Sequence, residues 1–516
     1  MEISRTLGNV CPVSALMQER TRSPAVVTHE SGPDQSRASR AQLPTLAVAA
    51  AAGFVGSCAV ALTAGRLAIV AGANPPSLWG GLLTTVTGGD AVRDGLIEVF
   101  AVISMVVAWG WMLTVARELR PRWVVAVSVL WALPLVAAPP LLSLDAYSYL
   151  AQGRLANAGL DPYTRGPSAL RGGQWLQAVD PFWRNSRSPY GPLSLLLERL
   201  IVATGSPVVA LVLLHVIAAA SVAVIALVAV RMVPTGRRST ILLLLLVNPL
   251  VLLQLIGAAH WEALMVALVA GSLLAWQRSH PMIAIAMASA AAAVKVPAAF
   301  AVVVFVAGYV LAAEPGARVR RSLRAGVAVI APWILLAPLV PNLLGFRGAL
   351  TTPLQGRTMY APTTLLAEAF SGLLDGPGVP VPFDSVLTFC RILGLLAAGA
   401  VCAWLLATIR RRPVAATIGL GLLAVAMLGP VTYPWYLTWG LIPLALANDK
   451  SRSMVPWIST CTVFVALPGC MPLGGAVVDR MGAGPAAITA LSLSGIAVMI
   501  IVSVSKRITT SAYGRL

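Results

Sequence analysis

The chain has 516 residues, of which 58% are hydrophobic and only 11% charged, against about 25% charged in an average soluble chain. So few charges cannot cover a water-facing surface of this length, which excludes a soluble globular fold. The formal net charge of +18 would suit a nucleic-acid partner, but its distribution along the chain excludes that as well.

Residues 1–42 are polar and mixed, rich in Ser, Arg and Pro, with no early apolar run. They read as a disordered cytoplasmic tail without a cleavable signal peptide. Residues 43–505 read as one polytopic membrane domain, and 506–516 as a cytoplasmic C-terminal tail. Apolar runs fall at 46–70, 96–113, 123–141, 207–230, 240–256, 263–276, 282–294, 298–312, 325–340, 386–409, 415–428, 437–447, 454–467 and 485–504. They predict an all-α polytopic membrane protein of about 12–14 transmembrane helices. Several runs are short, and the pair broken near Pro297 reads as a discontinuous or re-entrant helix.

With the N-terminus inside and the runs alternating, every inner segment is basic. Arg117, Arg120 and Arg122 fall inside, as do Arg318, Arg320, Arg321 and Arg324, and Arg410, Arg411 and Arg412. In all, about 24 of the 37 basic residues lie there, a positive-inside pattern. The basic excess is therefore topological. Two long segments, about 143–206 and 344–385, fall outside, so the working surface is expected on the extracytoplasmic face.

The first outer loop opens at LLSLDAYSYLAQGRL. Residues 146–158 read as a helix closed by Gly159, with Asp145, Tyr149 and Gln152 spaced to share one face. A carboxylate, a phenol and an amide on one face suit a sugar. Asp145 serves equally well as a helix N-cap, and Tyr147 and Tyr149 as an interfacial aromatic belt. Arg154, Arg165, Arg171, Arg184, Arg187 and Arg199 run against the positive-inside rule. They call for anionic headgroups or a phosphate ligand, or for pairing with Asp161, Asp180 and Glu198.

Ionisable residues at membrane depth are functional candidates. His260 and Glu262, in IGAAHWEALM, sit where one run ends outside and the next begins; they carry a site or pair with each other or an arginine. Lys295, in AAAVKVPAAF, holds a lipid phosphate or snorkels to the interface. Tyr433, Trp435, Tyr436 and Trp439, in GPVTYPWYLTWG, suit sugar stacking or an aromatic belt. The six cysteines, Cys11, Cys58, Cys390, Cys402, Cys461 and Cys470, form no C-x-x-C pair and read as small buried hydrophobes.

Taken together, LDAYSYLAQGRL, GLDPYTRGP, SPYGPL, NPLVLLQLIGAAHWEALM, AAAVKVPA and GPVTYPWYLTWGL resemble the actinobacterial polyprenol-phosphate-mannose-dependent alpha-(1→6)-mannopyranosyltransferases, in the same order. Trp261 departs from the pattern, standing where a small polar residue is expected. The resemblance implies a GT-C glycosyltransferase fold in the plasma membrane with an extracytoplasmic active site. It implies a polyprenyl-phosphate-mannose donor and a lipid-anchored mannan acceptor, the backbone of lipomannan and lipoarabinomannan, with inversion at the anomeric carbon. Asp145 matches the family's acidic residue in the first large outer loop and is expected to be the catalytic base. Arg154, Lys295, Arg187 and Arg357 are then the candidates for the donor phosphate. Tyr147, Tyr149, Gln152, His260, Glu262, Tyr433 and Trp435 are the candidates for sugar and acceptor. No cofactor and no metal are called for, although Asp145 with Glu262 could hold a divalent ion. Two other readings stay open: another polyprenyl-phosphosugar enzyme, transferring arabinose or glucose, and a secondary transporter.

Overall fold

The computed structural model describes residues 46–63, 90–358, 361–374, 382–465, 467, 476 and 479–480. The expected tails, 1–42 and 506–516, and the last apolar run, 485–504, lie outside the described residues. Among those described, the regular elements are all helical.

Among the described residues, four helices are long and apolar enough to cross a bilayer: Leu46–Thr63, Ala91–Thr114, Pro207–Met232 and Phe383–Ala407. A fifth span forms if Thr235–Leu245 and Pro249–Gly257 count as one, bent by 49°. The bend follows from the sequence. Pro249 brings no backbone N–H, and the Asn248 side chain accepts from the Leu250 amide and donates to Ser459 Oγ at 2.8 Å. Pro121–Ala137, Glu262–Gln277, Pro281–Val294, Val296–Leu311 and Val414–Leu428 are apolar but shorter. Hydropathy counts apolar runs, whereas a straight crossing needs about 20 residues; Pro281, Pro297 and Pro413 cut several runs below that length.

The lipid-like solvent shows in the side chains. Leu396 on Phe383–Ala407 is 65% exposed and Leu335 on Arg318–Leu336 is 73% exposed. Both would be costly in water.

The segment expected as the first outer loop is a folded cap of short helices, Asp145–Asn157, Pro181–Asn185 and Pro192–Val202. Two glycines let it close. A side chain at Gly153 would meet the Glu198 backbone at 2.6 Å, so the first and third of these helices approach at that point. At Gly191 a Cβ would lie 2.1 Å from the Ala293 carbonyl oxygen. The Gly191 amide instead donates to Val294 O at 2.9 Å, and Ser194 Oγ to the same carbonyl. The motif SPYGPL is thereby pinned against the break that carries Lys295.

Candidate active site

Asp145 is the first residue of Asp145–Asn157, which Gly159 closes at φ 77°. Its side chain does not cap the helix, so the N-cap reading is set aside. One carboxylate oxygen, Oδ1, accepts from Trp183 Nε1 at 2.8 Å, and the other faces His260 Nε2 at 4.0 Å. The meeting with His260 has a backbone cause. The Leu141 amide donates to Gly257 O at 2.9 Å, joining the segments that precede the two residues. Each segment turns through a left-handed non-glycine residue, Leu142 at φ 61° and Ala259 at φ 54°, a strained geometry that clusters at functional sites. The stretch Leu252–Gly257, just before His260, winds as a π-helix, another frequent mark of such sites.

Burial sets the electrostatics. It raises the Asp145 carboxyl to about 6, with the Lys295 charge and the Trp183 hydrogen bond pulling back down and Glu262 adding to the rise. Burial lowers the His260 imidazole to about 4, with Glu262 pulling it up and Lys295 down. The histidine is then neutral near pH 7, so its approach to Asp145 is a polar contact rather than an ion pair.

Lys295 sits in the extended break between Pro281–Val294 and Val296–Ala298. Its ammonium pairs with Glu262 Oε1 at 2.5 Å, both groups being buried. It also lies over the rings of Tyr436 (4.4 Å to the centroid), Tyr190 (5.0 Å) and Trp439 (5.3 Å). Three π faces and a carboxylate hold one cation here. The snorkelling reading of Lys295 is corrected: its ammonium points into the protein, where a counterion and aromatic faces replace water.

Aromatic rings line the rest. Tyr149 OH and Tyr190 OH share a hydrogen bond of 3.1 Å. Trp435 packs on His260 with centroids 4.1 Å apart, and Tyr433 stacks on Trp435 at 4.5 Å. Buried polar atoms without a protein hydrogen bond here include Trp435 Nε1, Trp439 Nε1 and Glu262 Oε2. Unpaired donors and an acceptor in one buried region fit a polyhydroxylated ligand or water.

Of the expected residues, the structure therefore gathers Asp145, His260, Glu262, Lys295, Tyr149 and Trp435, with Tyr433 behind Trp435. Tyr147 and Gln152 are buried on the same helix as Asp145, but two residues at about 100° each turn Tyr147 about 200° from Asp145, so grouping it with the site is corrected. The arginines fare differently. Arg154 is exposed, and nine residues at about 100° each turn it about 180° from Asp145; grouping it with Asp145 is corrected on that ground. Arg357 is exposed, paired with Glu368 at 3.2 Å and lying over Phe383. Arg187 is exposed, with its carbonyl held by Thr352 Oγ1 at 3.2 Å. Trp183 was missed by sequence reasoning, because nothing in DPFWRN links it to a carboxylate 38 residues earlier.

Trp261, the departure from the family pattern, donates Nε1 to the buried Glu198 at 2.9 Å. It fastens the His260 turn to the cap helix Pro192–Val202, a structural role that a small polar residue would not fill.

Comparison with known proteins is consistent along the chain. A family model described as "Alpha-(1->6)-mannopyranosyltransferase, N-terminal domain" matches residues 50–313, and an "MptB C-terminal domain" matches 363–503. Alpha-(1->6)-mannopyranosyltransferase A of Mycobacterium tuberculosis is 29% identical over 364 residues, covering 66% of this chain and 69% of that protein. A probable alpha-(1->6)-mannopyranosyltransferase of Mycolicibacterium smegmatis is 32% identical over 368 residues, covering 61% and 64%. Alpha-(1->6)-mannopyranosyltransferase B of Corynebacterium glutamicum is 31% identical over 368 residues, covering 65% and 60%. The aligned stretch is thus under two thirds of the last two proteins. No solved structure matches the chain.

Proposed function

This chain belongs to the alpha-(1→6)-mannopyranosyltransferase family, a family of mannose-transferring enzymes, and from that premise we propose that it takes mannose from a polyprenyl phosphate. The acceptor in this reading is the 6-hydroxyl of a lipid-anchored mannan, the backbone of lipomannan and lipoarabinomannan. The reaction takes place at the extracytoplasmic face of the plasma membrane, on a GT-C fold. The observation that carries it is a buried carboxylate, Asp145, within reach of the charge of a buried cation, Lys295, which Glu262 pairs, among aromatic and unpartnered polar side chains.

In this reading Asp145 takes the proton of the acceptor hydroxyl. The oxygen attacks the anomeric carbon, the bond from that carbon to the phosphate oxygen breaks, and polyprenyl phosphate leaves with inversion. Negative charge that the phosphate carries away must meet positive charge already in place. Lys295 supplies it, held in position by Glu262 and the three rings. Arg187 remains the candidate for the outer side of the phosphate. Neutral His260 and the unpartnered Trp435 indole N–H bond sugar hydroxyls in this reading, beside the ring faces of Trp435 and Tyr433.

The donor class is tested with purified protein in lipid nanodiscs and a short alpha-(1→6) mannoside. Radiolabelled mannose should pass from polyprenyl phosphate and not from a nucleotide sugar. Equal transfer from both donors would overturn the lipid-donor reading.

Trp183 allows a second test. Trp183→Phe keeps a ring but removes the hydrogen bond that lowers the Asp145 pKa, so the carboxyl rises further above about 6. The base acts as a carboxylate, so wild-type kcat/KM should fall about tenfold per pH unit below that value. In the variant the same limb should move to higher pH, with the high-pH plateau retained to within a few fold. An unmoved limb would mean that Asp145 is not the group being titrated.

A further inference from the structure

The outer cap holds a second built feature, away from Asp145. A separate apolar cluster, Tyr163, Leu195, Val340 and Phe346, joins the first outer loop to the segment that follows helix Arg318–Leu336. Above it lies a cleft of about 130 Å³. Its polar lining is Asp161, Arg199 and Asn342, and its apolar walls include Ala156, Leu160 and Leu195.

The polar groups are fixed in advance. Asp161 Oδ2 accepts from Asn342 Nδ2 at 2.7 Å, and Oδ1 accepts from the Tyr163 amide at 2.9 Å. Arg199 donates to Leu339 O at 2.7 Å and to Asn157 Oδ1 at 3.2 Å. Asn342 holds the left-handed conformation at φ 53°, which asparagine tolerates better than most residues. In the apolar cluster the Tyr163 hydroxyl is buried without a hydrogen-bond partner.

We propose that this cleft is a distal acceptor subsite that binds a hexose of the growing mannan several units from the reacting end. The proposal rests on the mannosyltransferase reading given above. The cleft has apolar walls for the C–H face of a sugar ring. A carboxylate, an amide and a guanidinium on one side are a hydroxyl-binding set. The carboxylate disfavours a phosphate headgroup in the same space. The placement also fits. Asp145 opens and Ala156 nearly ends one helix, eleven residues apart, which at about 1.5 Å per residue is about 16 Å. A chain threaded from the base to the cleft would therefore be several sugars long, and the enzyme would favour long acceptors over short ones.

The test uses two variants that leave the catalytic groups untouched. Asn342→Gly removes the amide while keeping a residue suited to φ 53°, and Ala156→Leu fills the cleft from its wall. Transfer is compared for a dimannoside and a hexamannoside, both alpha-(1→6) linked. Wild type should show the lower KM for the hexamannoside. Each variant should raise that KM by about tenfold, the scale of losing one or two hydrogen bonds, with the dimannoside KM unchanged. Equal effects on both acceptors, or none on either, would overturn the subsite. Binding of the hexamannoside alone to the purified protein, read by saturation-transfer NMR, decides the matter independently of transfer. Binding by wild type that weakens in both variants supports the cleft even if the donor reading fails. Absence of wild-type binding, or an effect of the variants on capture by phosphatidylinositol vesicles instead, would overturn it.

Discussion

Replacing Asp145 by Asn should leave the protein folded and reduce mannose transfer by about 10²–10⁴-fold, the usual contribution of a positioned general base. The amide has nearly the shape of the carboxylate, and its oxygen can still accept from Trp183 Nε1, so the contact at 2.8 Å survives. What is lost is the proton acceptor. Only one oxygen of Asp145 is committed to Trp183; the other faces a histidine that is neutral near pH 7, and so is not occupied by an ion pair. That oxygen is where an acceptor hydroxyl would deliver its proton. Transfer should be measured in nanodiscs at pH 7 and above, with equal amounts of protein confirmed to unfold at the same temperature. Undiminished transfer would reduce Asp145 to a packing role and direct attention to Glu262.

The second large effect is expected at the Lys295–Glu262 pair, where stability and catalysis can be separated. Both groups are buried, with Glu262 fully so. Removing one partner strands the other charge, which costs ~3–5 kcal/mol in stability. Lys295→Met should therefore both destabilise the protein and abolish transfer, which by itself says little about catalysis. Adding Glu262→Gln removes the stranded charge. The double variant should regain most of the thermal stability yet remain inactive, because the cation that meets the leaving phosphate is still missing. Recovery of transfer along with stability would show that the pair only supports the fold.

Much of this architecture was legible beforehand, for physical reasons that can be named. An apolar run of span length has one low-energy fate in a bilayer, so the helices Ala91–Thr114 and Pro207–Met232 lie where hydropathy put them. Gly159 closing the Asp145 helix, and the break at Lys295 before Pro297, are local backbone properties. The candidate residues Asp145, His260, Glu262 and Lys295 stood out because ionisable groups beside apolar runs are rare.

The arginines were read least well. Six in one outer loop suggested a phosphate, but a sequence does not say which way a side chain faces. Helix phase turned Arg154 outward, and Glu368 engaged Arg357. Trp183 carried no signal, since its role depends on a contact 38 residues distant. Tyr190 was visible only as part of SPYGPL, and its place over Lys295 depends on Gly191 fitting against the Ala293 carbonyl.

By itself, then, the sequence determined the solvent, the all-helical class and the short set of ionisable residues from which a site could be drawn. Each of these depends on composition or on neighbours within a few residues. Only the tertiary structure decided which of them meet. The Leu141–Gly257 hydrogen bond brings Asp145 to His260, the Gly191 contact brings Tyr190 to Lys295, and Trp261 ties the His260 turn to Glu198. Such contacts join segments dozens of residues or more apart, and their geometry follows from close packing of the whole cap, which no local pattern encodes.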